Sequence, residues 1–270
     1  MPYSYKLKKS LQLLLGLGFF TISNASLAAI NLGFEDPLSS GWSSLGDAGT
    51  KGSLGGVTPY DGAFLGFLTT AFDANDDSNS NLNKSGVTPV NSSQLESFLG
   101  LPVTSLDPDY ANFVTATEGS AMKQSFAVLA GDVMNVRYNL ISNDIASFAP
   151  GVGGTDSAYI TINQGAGATA TRLAYSSAAS SPASVGYTGQ TLFQSFQFTF
   201  ANAGLVTLGF AVVDVGDFTT SSALLIDGIT ITSIPAPVPE PSQWAMLFIG
   251  LGITVVGASR RKKSLGIKAL

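Results

Sequence analysis

The feature that most constrains the fold of this chain is an alternation of apolar and polar residues in its middle part. In VMNVRYNL (133–140), every second residue from Met134 to Leu140 is apolar, and the residues between them are Asn or Arg. The segment FQSFQFTF (193–200) repeats the pattern with phenylalanines. A period of two is typical of a strand that buries one face. Further strands are predicted at SAYITIN (157–163), LVTLGFAVV (205–213) and ALLIDGITIT (223–232).

These strands predict one all-β domain between residues 30 and 233. Clusters of Gly, Asn, Ser and Asp separate them, and a short helix is predicted only near SSQLESFLG (92–100). Because no long amphipathic helix can cover a sheet, two sheets must cover each other, and we expect an antiparallel β-sandwich of the jelly-roll type. Residues 73–93 are polar and low in complexity, which predicts a long surface loop.

Composition excludes several classes of function. The chain of 270 residues has no Cys and no His, which rules out disulfides, thiolate nucleophiles, zinc sites built from Cys or His, and His-based catalysis. Residues 30–239 contain five Lys or Arg and seventeen Asp or Glu, a net charge of 5 − 17 = −12. Such a body repels phosphate, so nucleic acid is not an expected partner.

The first 29 residues have the pattern of a secretory signal peptide. Three lysines precede an apolar stretch at 11–22, and Ser26 and Ala28 occupy the −3 and −1 positions of a cleavage site. We expect export and cleavage near residue 29. The alternative is a retained anchor helix, which the shortness of the stretch and the cleavage site disfavour.

The C-terminal end has three parts: a Pro-rich linker at 234–243, an apolar segment at 244–259 and a basic tail at 260–270. Sixteen helical residues span about 24 Å, slightly less than a hydrocarbon core of about 30 Å, and snorkelling cations cover the difference. We therefore predict a transmembrane helix, with the body outside because the cations stay in the cytoplasm. A helix buried in a core is the alternative, but it would not need cations directly after it. The cations are Arg260, Arg261, Lys262 and Lys263.

This order of parts resembles the PEP-CTERM sorting signal of Gram-negative, exopolysaccharide-producing bacteria. The motif is Pro239-Glu240-Pro241, and its prolines, with those at 235 and 237, favour an extended backbone that an enzyme can bind. The resemblance implies that an exosortase, a membrane-embedded cysteine transpeptidase, cuts at or near the motif. It would release the protein or transfer it to the cell surface. At this end the chain is a substrate and not a catalyst.

The body resembles jelly-roll carbohydrate-binding modules and the ectodomains of PEP-CTERM proteins. The resemblance lies in INLGFEDPLSSGW (30–42), ATEGSAMKQSFAVLAGD (116–132) and LLIDGITIT (224–232). It implies that 30–42 and 224–232 hold the first and last strands. It also implies that Glu35 and Asp227 hold a structural Ca²⁺ ion.

An argument from the residues alone also leads to Asp227. Strict alternation places its carboxylate on the apolar side of its strand, where it must bind a cation or hydrogen-bond donors. The residues of the same parity are Leu225, Ile229 and Ile231. Ca²⁺ suits such a site because it prefers oxygen ligands. Two alternatives stay open: Gly228 marks a bulge that turns Asp227 outward, or backbone N–H groups and Arg137 or Arg172 satisfy the carboxylate.

The sequence therefore predicts a non-enzymatic surface or matrix protein associated with exopolysaccharide or a biofilm. The alternative is a carbohydrate-binding module that binds extracellular polysaccharide. In that case Trp42 is the candidate for stacking on a sugar, although an aromatic residue at this position is more often part of the core. A glycan-degrading enzyme ranks third, because no spacing singles out a pair of catalytic carboxylates.

Overall fold

The structure is a computed structural model that describes residues 28–72, 82–109, 111, 114–144, 155–216, 218 and 220–233. Nearly all of the predicted signal peptide, and the linker, membrane segment and basic tail predicted after residue 233, lie outside these described residues. None of the helices within the described ranges is long and apolar enough to cross a membrane.

Thirteen strands and one α-helix make up the described part of the chain. The strands are β1 Ser43–Leu45, β2 Ala48–Lys51, β3 Leu65–Thr69, β4 Val90–Asn91, β5 Ala116–Val128, β6 Val133–Ser142, β7 Ser157–Asn163, β8 Ala168–Tyr175, β9 Ser181–Pro182, β10 Gly189–Gln190, β11 Gln194–Thr199, β12 Gly204–Val215 and β13 Ser222–Thr232. The helix α1 spans Ser92–Leu99, and a 3₁₀ turn spans Ser176–Ala178.

The strands form two sheets with antiparallel pairing that pack face to face. The six-stranded sheet has the order β1-β5-β12-β7-β8, with β4 also paired to β5. The seven-stranded sheet has the order β2-β3-β13-β6-β10-β9, with β11 also paired to β6. Contacts between β12 and β13, and between β5 and β3, join the two sheets. The prediction of an antiparallel β-sandwich is confirmed.

The main core lies between the sheets, where the alternation predicted it. On β6, the apolar residues from Met134 to Leu140 all belong to this core, and Met134 itself is fully buried. On the β11 side, Phe200 is buried, and Phe196 and Phe198 pack against the same core. The five strands predicted from the sequence are all present.

The outer faces of both sheets are partly covered. The helix α1 places Leu95 and Leu99 on the six-stranded sheet. It begins after Asn91, whose side chain accepts the Gln94 N–H, and ends at Gly100 with φ +73°. The helix predicted at 92–100 is confirmed. The seven-stranded sheet is covered by the β2–β3 loop and by the segment before β11, which enclose a smaller core.

Two predicted elements differ from the structure. Residues 30–42 contain no strand, since Asn31 (φ +53°) and Phe34 (φ +58°) have left-handed backbone and turn the chain. The first strand starts at Ser43 instead. The surface loop predicted at 73–93 is also shorter, because β4 begins at Val90. Residues 73–81 of that loop lie outside the described residues.

Candidate functional site

A bulge in β13 decides where the Asp227 carboxylate lies. Gly228 has φ +54°, and the pairing with β6 shifts between Asp227 and Thr230. Ile229 and Ile231 therefore pack with the main core, on the opposite face from Asp227. Their predicted common parity with Asp227 is wrong for this reason. Asp227 stays under the β2–β3 loop, with 0% of its surface exposed.

Backbone N–H groups satisfy the Asp227 carboxylate. Its Oδ2 accepts hydrogen bonds from Tyr60 N at 2.6 Å and from Asp61 N at 3.0 Å, and its Oδ1 accepts one from Gly228 N at 2.6 Å. Burial raises the pKa of Asp227 above its ordinary value of 3.8, the three N–H groups lower it, and the negative charge of Asp61 raises it further. The bonds to Tyr60 and Asp61 fix the start of a tight loop.

Glu35 fixes the other end of the same loop. Its Oε1 accepts hydrogen bonds from Ala63 N at 3.0 Å and Phe64 N at 3.2 Å, and its Oε2 accepts one from Ala63 N at 3.1 Å. We refer to residues 60–64 as the anchored loop. Gly62, in its centre, has φ +67°, and a Cβ atom there would lie 2.0 Å from Glu35 Oε1. The resemblance to carbohydrate-binding modules implies that Glu35 and Asp227 hold one ion together. In the structure the two side chains bind opposite ends of this loop.

In this structure, N–H donors and not further oxygen ligands surround the two carboxylates. Calcium takes six to eight oxygen ligands, whereas the oxygens of Glu35 and Asp227 face N–H groups. Within the described ranges, no group of three or more His, Cys, Asp or Glu side chains could hold a metal. Calcium at Glu35 and Asp227 therefore stays a prediction from the sequence.

Trp42 lies in the core and not on the surface. Its side chain is 5% exposed, its ring stacks on Phe34 with centroids 5.3 Å apart, and its Nε1 donates to Asn31 O at 3.1 Å. Phe210, a residue of the same core, lies with its ring centroid 6.0 Å from that of Trp42. The expectation that an aromatic residue at this position belongs to the core is confirmed, and Trp42 is not available as the candidate for stacking on a sugar.

Three adjoining depressions cross the outer face of the seven-stranded sheet beside the anchored loop. Their volumes are about 490, 380 and 490 Å³. Gly56 lines the first and the second, and Tyr60 lines the second and the third. We refer to this continuous surface as the track. Its polar lining includes Lys51 and Lys84 in the first depression, Asn139 and Gln190 in the second, and Asp61, Asn135, Arg137, Ser195, Gln197 and Thr230 in the third.

Tyr60 presents a fixed aromatic ring in the middle of the track. Its side chain is 53% exposed, the Arg137 guanidinium lies 4.8 Å from the ring centroid, and Phe193 packs edge-on with centroids 5.6 Å apart. Asp227 holds its backbone. Sequence reasoning missed Tyr60. The signal that could have found it is its place between Pro59 and Asp61, in a turn-forming segment where a large aromatic side chain has no core to enter.

Comparison with known proteins shows similarity of chain path only. No protein-family model matches the chain, and no curated protein matches it. A structure of TmCBM61 in complex with β-1,4-galactotriose has a TM-score of 0.39 and 11% identity, and the match covers 76% of this chain and 96% of that one.

Two further solved structures give scores of 0.35 at 10% identity, each over 77% of this chain. One comes from work on carbohydrate-binding modules of the β-sandwich superfamily, and the match covers 64% of it. The other is the enzymatically active domain of tailspike protein 4 of bacteriophage CBA120, of which 21% is covered. At these scores the similarity gives no information about ligands.

Proposed function

We propose that the protein is a non-enzymatic surface or matrix protein that is exported and sorted through its C-terminal signal, and that its jelly-roll ectodomain binds extracellular polysaccharide. The order of Pro-Glu-Pro motif, apolar segment and basic tail supports the sorting route. The precursor is held in the inner membrane by the segment 244–259 until an exosortase processes it. The protein then reaches the cell surface or the extracellular matrix.

The observation that supports polysaccharide binding is the Tyr60 ring within a long polar track. Binding sites combine an apolar contact surface with a few placed polar groups, and a tyrosine offers a broad ring at little cost in conformational entropy. Amide and hydroxyl side chains line the track on both sides of this ring. The track is open and elongated, which suits a polymer better than a small molecule.

The distribution of carboxylates supports a non-enzymatic role. A typical glycoside hydrolase places two carboxylates on either side of the bond that it cleaves. Asp61 is the one carboxylate of the described residues that lines the track. Glu35 and Asp227, its nearest acidic neighbours along the anchored loop, are engaged with backbone N–H groups.

Deleting the exosortase gene in the producing cell tests the sorting route. We expect the full-length precursor to accumulate in the inner membrane, and the same result when Pro239 and Pro241 are both replaced by Ala. The matched control replaces Pro37 and Pro102, two exposed prolines of the ectodomain, by Ala and should leave processing intact. Unchanged release from the deletion strain would contradict the proposal.

Affinity electrophoresis through polysaccharide extracted from the producing cells tests the ectodomain. Tyr60→Ala should weaken retention of the full chain by about tenfold, a usual cost of removing a central aromatic contact. Tyr175→Ala is the matched control, since Tyr175 is 42% exposed and lies under Arg172, away from the track. Equal retention of the two variants would exclude the track as the binding surface.

A further inference from the structure

The cations of this acidic body are concentrated on one surface. Residues 30–239 contain five cations, and three of them, Lys51, Lys84 and Arg137, line the track. The remaining two do not line it. Lys123 donates to Phe98 O, and Arg172 lies over the Tyr175 ring with its guanidinium 5.4 Å from the centroid. The track is therefore the surface where the local charge opposes the net charge of −12.

Arg137 is the cation best placed to recognise an anion. Within the described residues its guanidinium contacts the Tyr60 ring, and no carboxylate forms an ion pair with it. Asp227, its cross-strand partner, accepts N–H groups instead. A guanidinium carries five N–H donors in a planar fork that matches a carboxylate. Such donors, half-buried beside an aromatic ring, bind an anion more strongly than they would in open solvent.

We propose that the track binds a polysaccharide whose sugar units carry carboxylates, and that Arg137 determines this specificity by pairing with a uronate carboxylate beside Tyr60. The proposal rests on the polysaccharide binding proposed above and names the class of ligand. Lys51, at the other end of the track, supplies positive charge for a further carboxylate along the same polymer. Asp61 disfavours a carboxylate at its own position, and it accepts hydrogen bonds from sugar hydroxyls instead.

The net negative charge of the body does not prevent this binding. At physiological ionic strength the Debye length is about 8 Å, so exposed acidic groups beyond that distance are largely screened. A carboxylate in contact with Arg137 is screened much less, because the guanidinium is partly buried. Contact chemistry on the track then outweighs repulsion from the rest of the surface.

The test compares acidic polymers with their neutral esters. Polygalacturonate and polymannuronate are each used as the free acid and as the methyl ester, which keeps the backbone and removes the charge. The full chain, purified in a non-ionic detergent, should bind at least one acid polymer about tenfold more tightly than its ester, as expected for a charge-assisted hydrogen-bonded pair. Arg137→Gln should reduce that ratio to near one, and the matched control Arg172→Gln should keep it.

Three other results would overturn the inference in different ways. Equal binding of acid and ester by the unchanged chain would remove the acidic specificity and leave the proposed polysaccharide binding in place. An equal fall of the acid-to-ester affinity ratio in Arg137→Gln and Arg172→Gln would show that only the net charge of the protein matters. If Arg137→Gln weakened binding of the acid and the ester polymer by the same factor, Arg137 would only hold the Tyr60 ring in place and would not recognise a carboxylate.

Binding of neither polymer class would overturn the inference. If the extracted polysaccharide were also not retained, the proposed polysaccharide binding would fail with it. Thermal unfolding of each variant controls for folding. If Arg137→Gln unfolds, Lys51→Gln is measured instead, because Lys51 is exposed at the end of β2. The Lys51→Gln variant should weaken binding of the acid polymer by about twofold and leave binding of the ester unchanged.

Discussion

Asp227 holds the anchored loop through its Oδ2, which accepts hydrogen bonds from the N–H groups of Tyr60 and Asp61. Its Oδ1 accepts a hydrogen bond from the N–H group of Gly228, the next residue of its own strand. Asp227→Asn replaces one of these acceptors with an NH₂ group, which then faces a donor. We expect the free energy of unfolding to fall by about 1–3 kcal/mol, the cost of leaving a buried donor without a partner. Urea unfolding measures this change in the free energy of unfolding. Asp36→Asn is the control, because its carboxylate is exposed and should change stability by less than about 0.5 kcal/mol. Similar small effects in both variants would contradict the role of Asp227.

The raised pKa of Asp227 sets the sign of its pH dependence. Because the folded protein holds this proton more tightly than the unfolded chain does, the contribution of Asp227 to stability is complete below pH 3.8 and is lost as the pH rises through its folded pKa. The stability advantage of the unchanged chain over Asp227→Asn should therefore shrink between pH 3 and pH 7. A growing advantage would mean that the N–H bonds outweigh burial and depress the pKa.

The anchored loop contacts two residues that are far apart in sequence, Glu35 near the start of the body and Asp227 near its end. Gly62→Ala tests it, because the new methyl group would displace Glu35 and free the N–H groups of Ala63 and Phe64. Gly165→Ala is the matched control, with φ +87° and open space around its Cβ position. Both variants carry left-handed strain of about 1–2 kcal/mol. We expect Gly62→Ala to lose about 0.5–1.5 kcal/mol more, the net value of hydrogen bonds whose exposed donors can bind water instead, and its amides at 63 and 64 to exchange faster. Equal losses would show that Glu35 does not hold the loop.

The strands β6 and β11 each have one buried face, and the helix α1 has a clear cap, so a local pattern predicts all three. The pattern of β6 and the cap residues of α1 are local, so they could be read without the fold. The strand β5 lacks the alternation, because both Ala121 and Met122 are fully buried, one under α1 and the other in the main core. The sequence argument for Asp227 assumed strict alternation along β13 and so did not include the bulge at Gly228. A single residue with left-handed backbone reverses every later side chain of the strand, and sequence alternation cannot show this.

At the scale of the whole molecule, the candidate site depends on contacts between distant parts of the chain. Tyr60 is placed by Asp227, which is 167 residues away in sequence, and Arg137 reaches the same ring from the neighbouring strand. No local pattern links these residues. Charge counting could show that the body is acidic, but only the fold shows that three of its five cations line one surface. The predicted export and sorting signals differ in this respect, since each prediction rests on one contiguous stretch of the sequence.

The stability of the whole molecule also tests the calcium ion predicted between Glu35 and Asp227. An ion present at 100 times its dissociation constant adds about 2.7 kcal/mol to the free energy of unfolding, or several degrees in Tm for a domain of this size. Since N–H groups already surround both carboxylates, we expect chelation with EDTA to change Tm by less than about 1 °C. A different result would show that Ca²⁺ is bound. In that case Tm would fall by several degrees on chelation, Ca²⁺ but not Mg²⁺ would restore it, and Glu35→Gln would show no such fall. The anchored loop would then have to open toward the metal, turning oxygens in place of N–H groups to the two carboxylates.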